Sequence, residues 1–201
     1  MKQSNLVQDT DGWKTVSAKT DFANPHLEVV TEQVRTPSSS GPRTWTTIKR
    51  KAAVVIAPMT ADGRLVLIKE ERIPIRAAIW SMPAGQIDNP DANETEIEAV
   101  ALRELHEETG YDIAPGGEAI PLGFFFTSAG LTNEHCYFFL VRPVRRAEVH
   151  NREEGEAIVD CRAVDVRELS RMIAQNEIRD SNTLAICSRL AARGLISLSP
   201  Q

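Results

Sequence analysis

Strand-like segments stand on both sides of one central helical segment, and this order constrains the fold more than any other feature of the chain. Residues 96–109 carry Ile97, Ala101 and Leu105 four apart, flanked by Val100, an apolar stripe at helical period. Thr95 with Glu98 reads as a Thr-x-x-Glu capping box at the start. Gly110 suits the left-handed residue just past the end. Ahead of this segment, AAVVIAP (52–58) is a continuous apolar run, which predicts a buried strand. RLVLIKEER (64–72) follows Asp62-Gly63, a hairpin turn signal. LEVVTEQVR (27–35) and TWTTIKR (44–50) are rich in β-branched residues and are separated by a Ser/Gly/Pro loop at 38–42. They predict a small N-terminal β unit, with a polar, frayed stretch at 1–12 before it. The segment from Trp80 to Gly85 contains Pro83 and predicts a loop. Beyond the helix, strands are predicted at 122–127, 135–142 and 158–164, and helices near 166–175 and 181–193. The expected architecture is an α/β sandwich with a mixed sheet. Residues 1–50 are expected to form the N-terminal unit and 51–201 the main domain.

Bulk properties narrow the function. The formal net charge of −5 argues against a general nucleic-acid binder, which needs a basic surface. Cys136, Cys161 and Cys187 are few, odd in number and not paired as CxxC, so a disulfide framework is not expected and a cytoplasmic setting is. The four histidines are scattered, which does not suggest zinc. The first residues, MKQSNLVQDTDGWK, lack the apolar core of a signal peptide. No run approaches the roughly 18 apolar residues that span a bilayer.

The most informative run is Arg103-Glu104-Leu105-His106-Glu107-Glu108-Thr109-Gly110-Tyr111. Glu104, Glu107 and Glu108 stand at i, i+3 and i+4, so a helix places all three carboxylates on one face. Like charges so placed repel one another, and the last turns of a helix disfavour anions. A divalent cation relieves both penalties, and carboxylate oxygens suit Mg²⁺ or Mn²⁺, with water and substrate phosphate completing the shell. Arg103 is placed to pair with Glu107 at i+4 and orient it. The competing reading is a solvated helix face. His106, between the carboxylates, reads as surface.

Gly85 and the run from Arg103 to Tyr111 resemble the Nudix box: a glycine, a spacer, then Arg-Glu-aliphatic-x-Glu-Glu-x-Gly-aliphatic, with Tyr111 in the last aliphatic place. The spacer departs by four extra residues, placed within Asp88–Asn93, and the glutamate expected eight residues before the arginine falls on Thr95. The likeness extends to the ADP-ribose pyrophosphatase branch. Met82-Pro83-Ala84-Gly85 is similar to its Leu-Pro-Ala-Gly, and Glu71-Arg72 ahead of Trp80 to its Gln-Tyr-Arg segment. Ser128-Ala129-Gly130-Leu131-Thr132-Asn133-Glu134 resembles its Ser-Pro-Gly-hydrophobic-Ser-Asp-Glu segment, with Ala129 in place of the proline. Asn176-Glu177-Ile178-Arg179-Asp180 is similar to its Gly-Glu-Ile-x-Asp.

The resemblance implies a Nudix-like α/β/α sandwich and Mg²⁺-dependent hydrolysis of the pyrophosphate bond in a nucleoside diphosphate sugar. ADP-ribose, giving AMP and ribose 5-phosphate, is the leading substrate; GDP-mannose or another such sugar is the alternative within the fold. A non-catalytic Nudix-fold ligand-binding module is the alternative of a different class. By resemblance, Glu104, Glu107, Glu108 and the backbone oxygen of Ala84 hold the metals. The general base comes from a late loop, where Glu153, Glu154 and Glu156 are candidates, Glu156 leading through its Glu-x-Ile context. Arg72 is a candidate for the substrate phosphate, by its planar fork, or else makes a surface salt bridge. Glu134 is a candidate contact to the ribose or metal site, or else caps a strand. Trp45 and Phe22 are candidates for stacking on adenine, or else belong to a core or an interface. The N-terminal unit is expected to build a homodimer.

Overall fold

The computed structural model describes residues 6–9, 11–150 and 157–198. Three antiparallel strands, β1 (Lys14–Ala23), β2 (Glu28–Arg35) and β3 (Arg43–Lys49), form a separate sheet in the order β1-β2-β3. The turn between β1 and β2 is closed by Asn24, whose Oδ1 accepts the backbone N–H of His26 at 2.8 Å and of Leu27 at 2.9 Å. β1 is not predicted from the sequence, because KTVSAKTDFA has no fully buried residue: Val16 and Phe22 are exposed, and the pattern that marks a strand is burial on one face.

The second sheet has seven strands. Its path runs β10 (Ile158–Val164), β5 (Leu65–Arg72), β4 (Ala53–Thr60), β9 (His135–Arg146), β8 (Tyr111–Phe126). The β4–β9 pair is parallel and the others are antiparallel, so the sheet is mixed. β4 and β5 pair only at Met59 and Leu65. Beyond that point β6 (Ala77–Ser81) pairs with β5 and β7 (Ala84–Gln86) pairs with β4. The sheet therefore splits, and Met82-Pro83 crosses the split. This corrects the loop expected from Trp80 to Gly85. A three-residue strand containing glycine has no periodicity to read, and only its partner β4 makes it extended.

Helices cover both faces of this sheet. Alternation along the apolar β4 run sends Val54 and Ile56 to a core shared with α1 (Glu94–Thr109), through Ile97, Ala101 and Leu105. It sends Val55 and Ala57 to a core shared with α2 (Val166–Ala174) and α3 (Ser181–Ala192), through Leu169, Met172, Ile186 and Leu190. The result is an α/β/α sandwich with a small N-terminal sheet. No helix among the described residues is long and apolar enough to cross a membrane.

The start of α1 differs from the expected box. Asn93 is the cap: its Oδ1 accepts the Glu96 N–H at 3.1 Å, and Glu96 Oε2 accepts the Asn93 N–H at 2.8 Å. Asn and Thr are both good caps, and the competing pair two residues earlier wins. Thr95 and Glu98 lie inside the helix. Its end agrees with the expectation, with Gly110 left-handed at φ 67°.

Candidate functional site

Glu104, Glu107 and Glu108 emerge from the last two turns of α1, and Glu104 and Glu108 lie against β7. Glu104 and Glu108 are buried, at 8% and 7% exposure, and Glu107 is half-buried. Burying carboxylates is costly unless charge or hydrogen bonds answer them. Arg103 lies between two of them, donating from Nη2 to Glu104 Oε1 at 2.6 Å and from Nη1 to Glu107 Oε2 at 2.5 Å. Partial burial pulls the Arg103 pKa down, but attraction to Glu104 and Glu107 and the two hydrogen bonds hold it above its ordinary value. Glu108 Oε2 accepts the backbone N–H of Ala84 at 2.8 Å, which ties the helix to the first residue of β7.

Gly85 completes this junction. A Cβ built on it would lie 1.9 Å from Glu104 Cδ and 2.2 Å from Glu104 Oε1. The Glu104 carboxylate therefore occupies the place of the missing side chain. The glycine is required for room and not for backbone freedom. The structure thus brings Ala84, Arg103, Glu104, Glu107 and Glu108 together.

The donor set suits a hard divalent cation in kind: three carboxylates on one helix face beside an extended backbone segment, two of them buried. Among the described residues, no three acidic, imidazole or thiol groups converge to hold an ion between them. Arg103 now bridges Glu104 and Glu107, so a cation would draw on oxygens that this arginine shares.

The other candidates lie on separate elements. Arg72, at the end of β5, places Nη2 2.8 Å from Glu70 Oε2, close enough for an ion pair but out of line for a hydrogen bond. Burial raises the Glu70 pKa above its ordinary value; Arg72 opposes the rise and Asp180 adds to it. Glu70 went unnoticed in the sequence, although strand alternation sets it on the face of Arg72 two residues on. Glu134 pairs with Arg50 at 3.1 Å and accepts from Thr127 Oγ1 at 2.9 Å. Trp45 Nε1 donates to Gly130 O at 3.3 Å, joining β3 to the Ser128–Glu134 turn.

Phe22 pairs across β1–β2 with Val29, and Trp45 across β2–β3 with Glu32. Val29 and Glu32 are three apart in a regular strand, so they face opposite ways. Phe22 and Trp45 therefore project from opposite faces of the N-terminal sheet, and within one chain they do not sandwich one base. Glu153, Glu154 and Glu156 lie outside the described residues. His106, read as surface, is half-buried, with Nδ1 2.8 Å from Asp112 Oδ1. A cavity of about 320 Å³ opens between the β1–β2 turn, the Lys49–Ala52 connector and residues Ile87–Pro90, and the helix carboxylates do not line it.

Comparison with known proteins decides the family. Residues 49–185 match the NUDIX domain, well over half of the chain. The chain belongs to the Nudix family. It is a Nudix pyrophosphohydrolase, related to pyrophosphatases of ADP-ribose and GDP-mannose. It is 25% identical over 170 residues to the ADP-ribose pyrophosphatase of Bacillus subtilis, covering 85% of this chain and 88% of that one. It is 33% identical over 119 residues to the GDP-mannose pyrophosphatase of Klebsiella pneumoniae, covering 57% of this chain and 54% of the relative. A solved structure described as an ADP compounds hydrolase superposes with TM-score 0.73 over 94% of this chain and all of the other. At 14% identity that likeness speaks for the fold alone. Nudix hydrolases generally use a divalent metal and act on small nucleotide substrates.

Proposed function

We propose that the protein hydrolyses the pyrophosphate bond of a nucleoside diphosphate sugar, with Mg²⁺ or Mn²⁺, and that ADP-ribose, split to AMP and ribose 5-phosphate, is its substrate. The observation that carries this reading is the pair of buried carboxylates, Glu104 and Glu108, held against β7 where Gly85 leaves room. The relative named ADP-ribose pyrophosphatase supports the choice of substrate, because the match spans most of both chains.

In this reading Glu104, Glu107, Glu108 and the Ala84 carbonyl hold the metal. When bound, a divalent cation neutralises the diphosphate and makes water a better nucleophile at neutral pH. Arg103 keeps Glu104 and Glu107 oriented between substrates. Arg72 offers its fork to a phosphate oxygen, steadied by Glu70. Glu134 accepts from a ribose hydroxyl, and one of Glu153, Glu154 and Glu156, with Glu156 first, takes the proton from water. Trp45 and Phe22 serve the base, each from its own face of the N-terminal sheet. We read residues 1–50 as the unit that pairs two chains into a homodimer, and the setting as cytoplasmic. The exposed Trp13, Phe22 and Trp45 support the pairing, and the free cysteines support the setting.

GDP-mannose is the second reading, favoured by the 33% identical relative. A panel of ADP-ribose, GDP-mannose and other nucleoside diphosphate sugars with Mg²⁺, scored for the nucleoside monophosphate released, tests both. We expect the highest kcat/KM on ADP-ribose. A higher value on GDP-mannose selects the second reading, and no hydrolysis of any member overturns both.

A further inference from the structure

We propose that His150 is a positioning residue for the carboxylate cluster, seated on the bare Cα of Gly110 and holding the last turn of α1 through the Glu107 carbonyl. The inference rests on the metal-dependent reading above and adds a residue that no motif contains.

The last carbonyls of a helix have no partner four residues on. In α1 the Gly110 N–H serves the His106 carbonyl at 2.9 Å. The Tyr111 N–H, which would serve Glu107, goes instead to Thr109 Oγ1 at 3.1 Å. The Glu107 carbonyl is served by His150, whose Nε2 lies 2.9 Å away. A carbonyl only accepts, so Nε2 carries the hydrogen and donates.

The ring is held in place by shape. A Cβ on Gly110 would lie 2.8 Å from His150 Nδ1 and 2.9 Å from its Cγ, so the ring fills the place a side chain would take. His106 stands against it edge to face, with centroids 5.9 Å apart at 86°. His106 is itself tied to Asp112, and the Ala147 N–H donates to the Gly110 carbonyl at 2.9 Å, which fixes the approach of the chain. Gly110 thus has two tasks: its positive φ ends the helix, and its missing side chain seats His150. The peptide so fixed is that of Glu107 itself, and Glu108 is the next residue.

Partners that orient metal ligands commonly contribute tenfold or more to metal affinity. Mn²⁺ binding to the purified full chain, followed by electron paramagnetic resonance without substrate, tests the proposal. We expect His150→Ala to weaken Mn²⁺ binding about tenfold. The Mn²⁺ concentration for half-maximal hydrolysis should rise by the same factor, with KM for substrate little changed. His150→Gln, which can donate from its own Nε2, should bind Mn²⁺ nearly as the parent does. If His150→Ala binds Mn²⁺ like the parent and only its melting temperature falls, the residue is a helix-end cap and the proposal fails while the function stands. If Gln rescues no better than Ala, the donated bond is not the cause and the proposal fails too. If the parent binds no Mn²⁺, the metal-dependent reading fails and takes this one with it.

Discussion

A hydrogen atom at Gly85 leaves the space that the Glu104 carboxylate fills, so the smallest change there is informative. In Gly85→Ala the new methyl would meet Glu104 Cδ at 1.9 Å, and the carboxylate would have to leave its place beside β7. Overpacking of this kind costs about 1–3 kcal/mol of stability. We expect a folded protein whose kcat/KM falls at least about tenfold, since displaced catalytic groups lose far more than they lose in stability. An unchanged kcat/KM would show that the Glu104 position does not matter. Glu70 offers a second test, through pH. Burial raises its pKa in the folded protein, so the folded state holds the proton more tightly than the unfolded one. Stability is then lost as pH rises from the unfolded value through the folded one. Glu70→Gln removes that loss. Its melting temperature should match the parent at pH 3.5 and exceed it at pH 7. A variant less stable than the parent at pH 7 would show that the ion pair with Arg72 outweighs burial.

At the scale of elements, α1 shows what a sequence reveals and what it hides. The stripe of Ile97, Ala101 and Leu105, the carboxylate spacing and Gly110 were all legible, because each follows from helical geometry alone. The cap lies two residues before the expected one: Thr95-Glu98 and Asn93-Glu96 satisfy the same local rule, and only the fold of the preceding loop chooses between them. Asn93→Ala should therefore cost about 1 kcal/mol, which for a chain of this size lowers the melting temperature by about 2–4 °C. Thr95→Ala should change it by less than half as much, and equal losses would restore the original box. β1 and β7 were hidden for other reasons. β1 buries no side chain fully, and β7 is extended only because β4 pairs with it. The three carboxylate candidates are legible since they share one helix, whereas Ala84 on β7 is reached only through the resemblance. His150 is not legible, because its partners come from folding and not from spacing, whereas Glu70 and Arg72 are set on one face by strand alternation.

The whole molecule joins a sheet with little core of its own to a sandwich with two cores. Val30 is the one strand residue of β1–β3 that is a fully buried hydrophobic, whereas Phe22 and Trp45 are exposed on opposite faces of the sheet and Trp13 is exposed just before β1. Exposed apolar side chains on both faces of so small a sheet are the basis for the proposed pairing of two chains. We expect sedimentation equilibrium to give twice the 22.2 kDa chain mass. A monomer at micromolar concentration would overturn the proposed dimer. In the proposed function the carboxylates of α1 grip a divalent cation at a diphosphate. The most direct test of that function is AMP release from ADP-ribose with Mg²⁺, comparing the parent with Glu108→Gln. We expect Mg²⁺-dependent release by the parent and a loss of at least about two orders of magnitude in kcat for the variant, comparable to removing one major transition-state contact. Equal rates for the two proteins, or a parent rate indifferent to removal of Mg²⁺ by chelation, would contradict it.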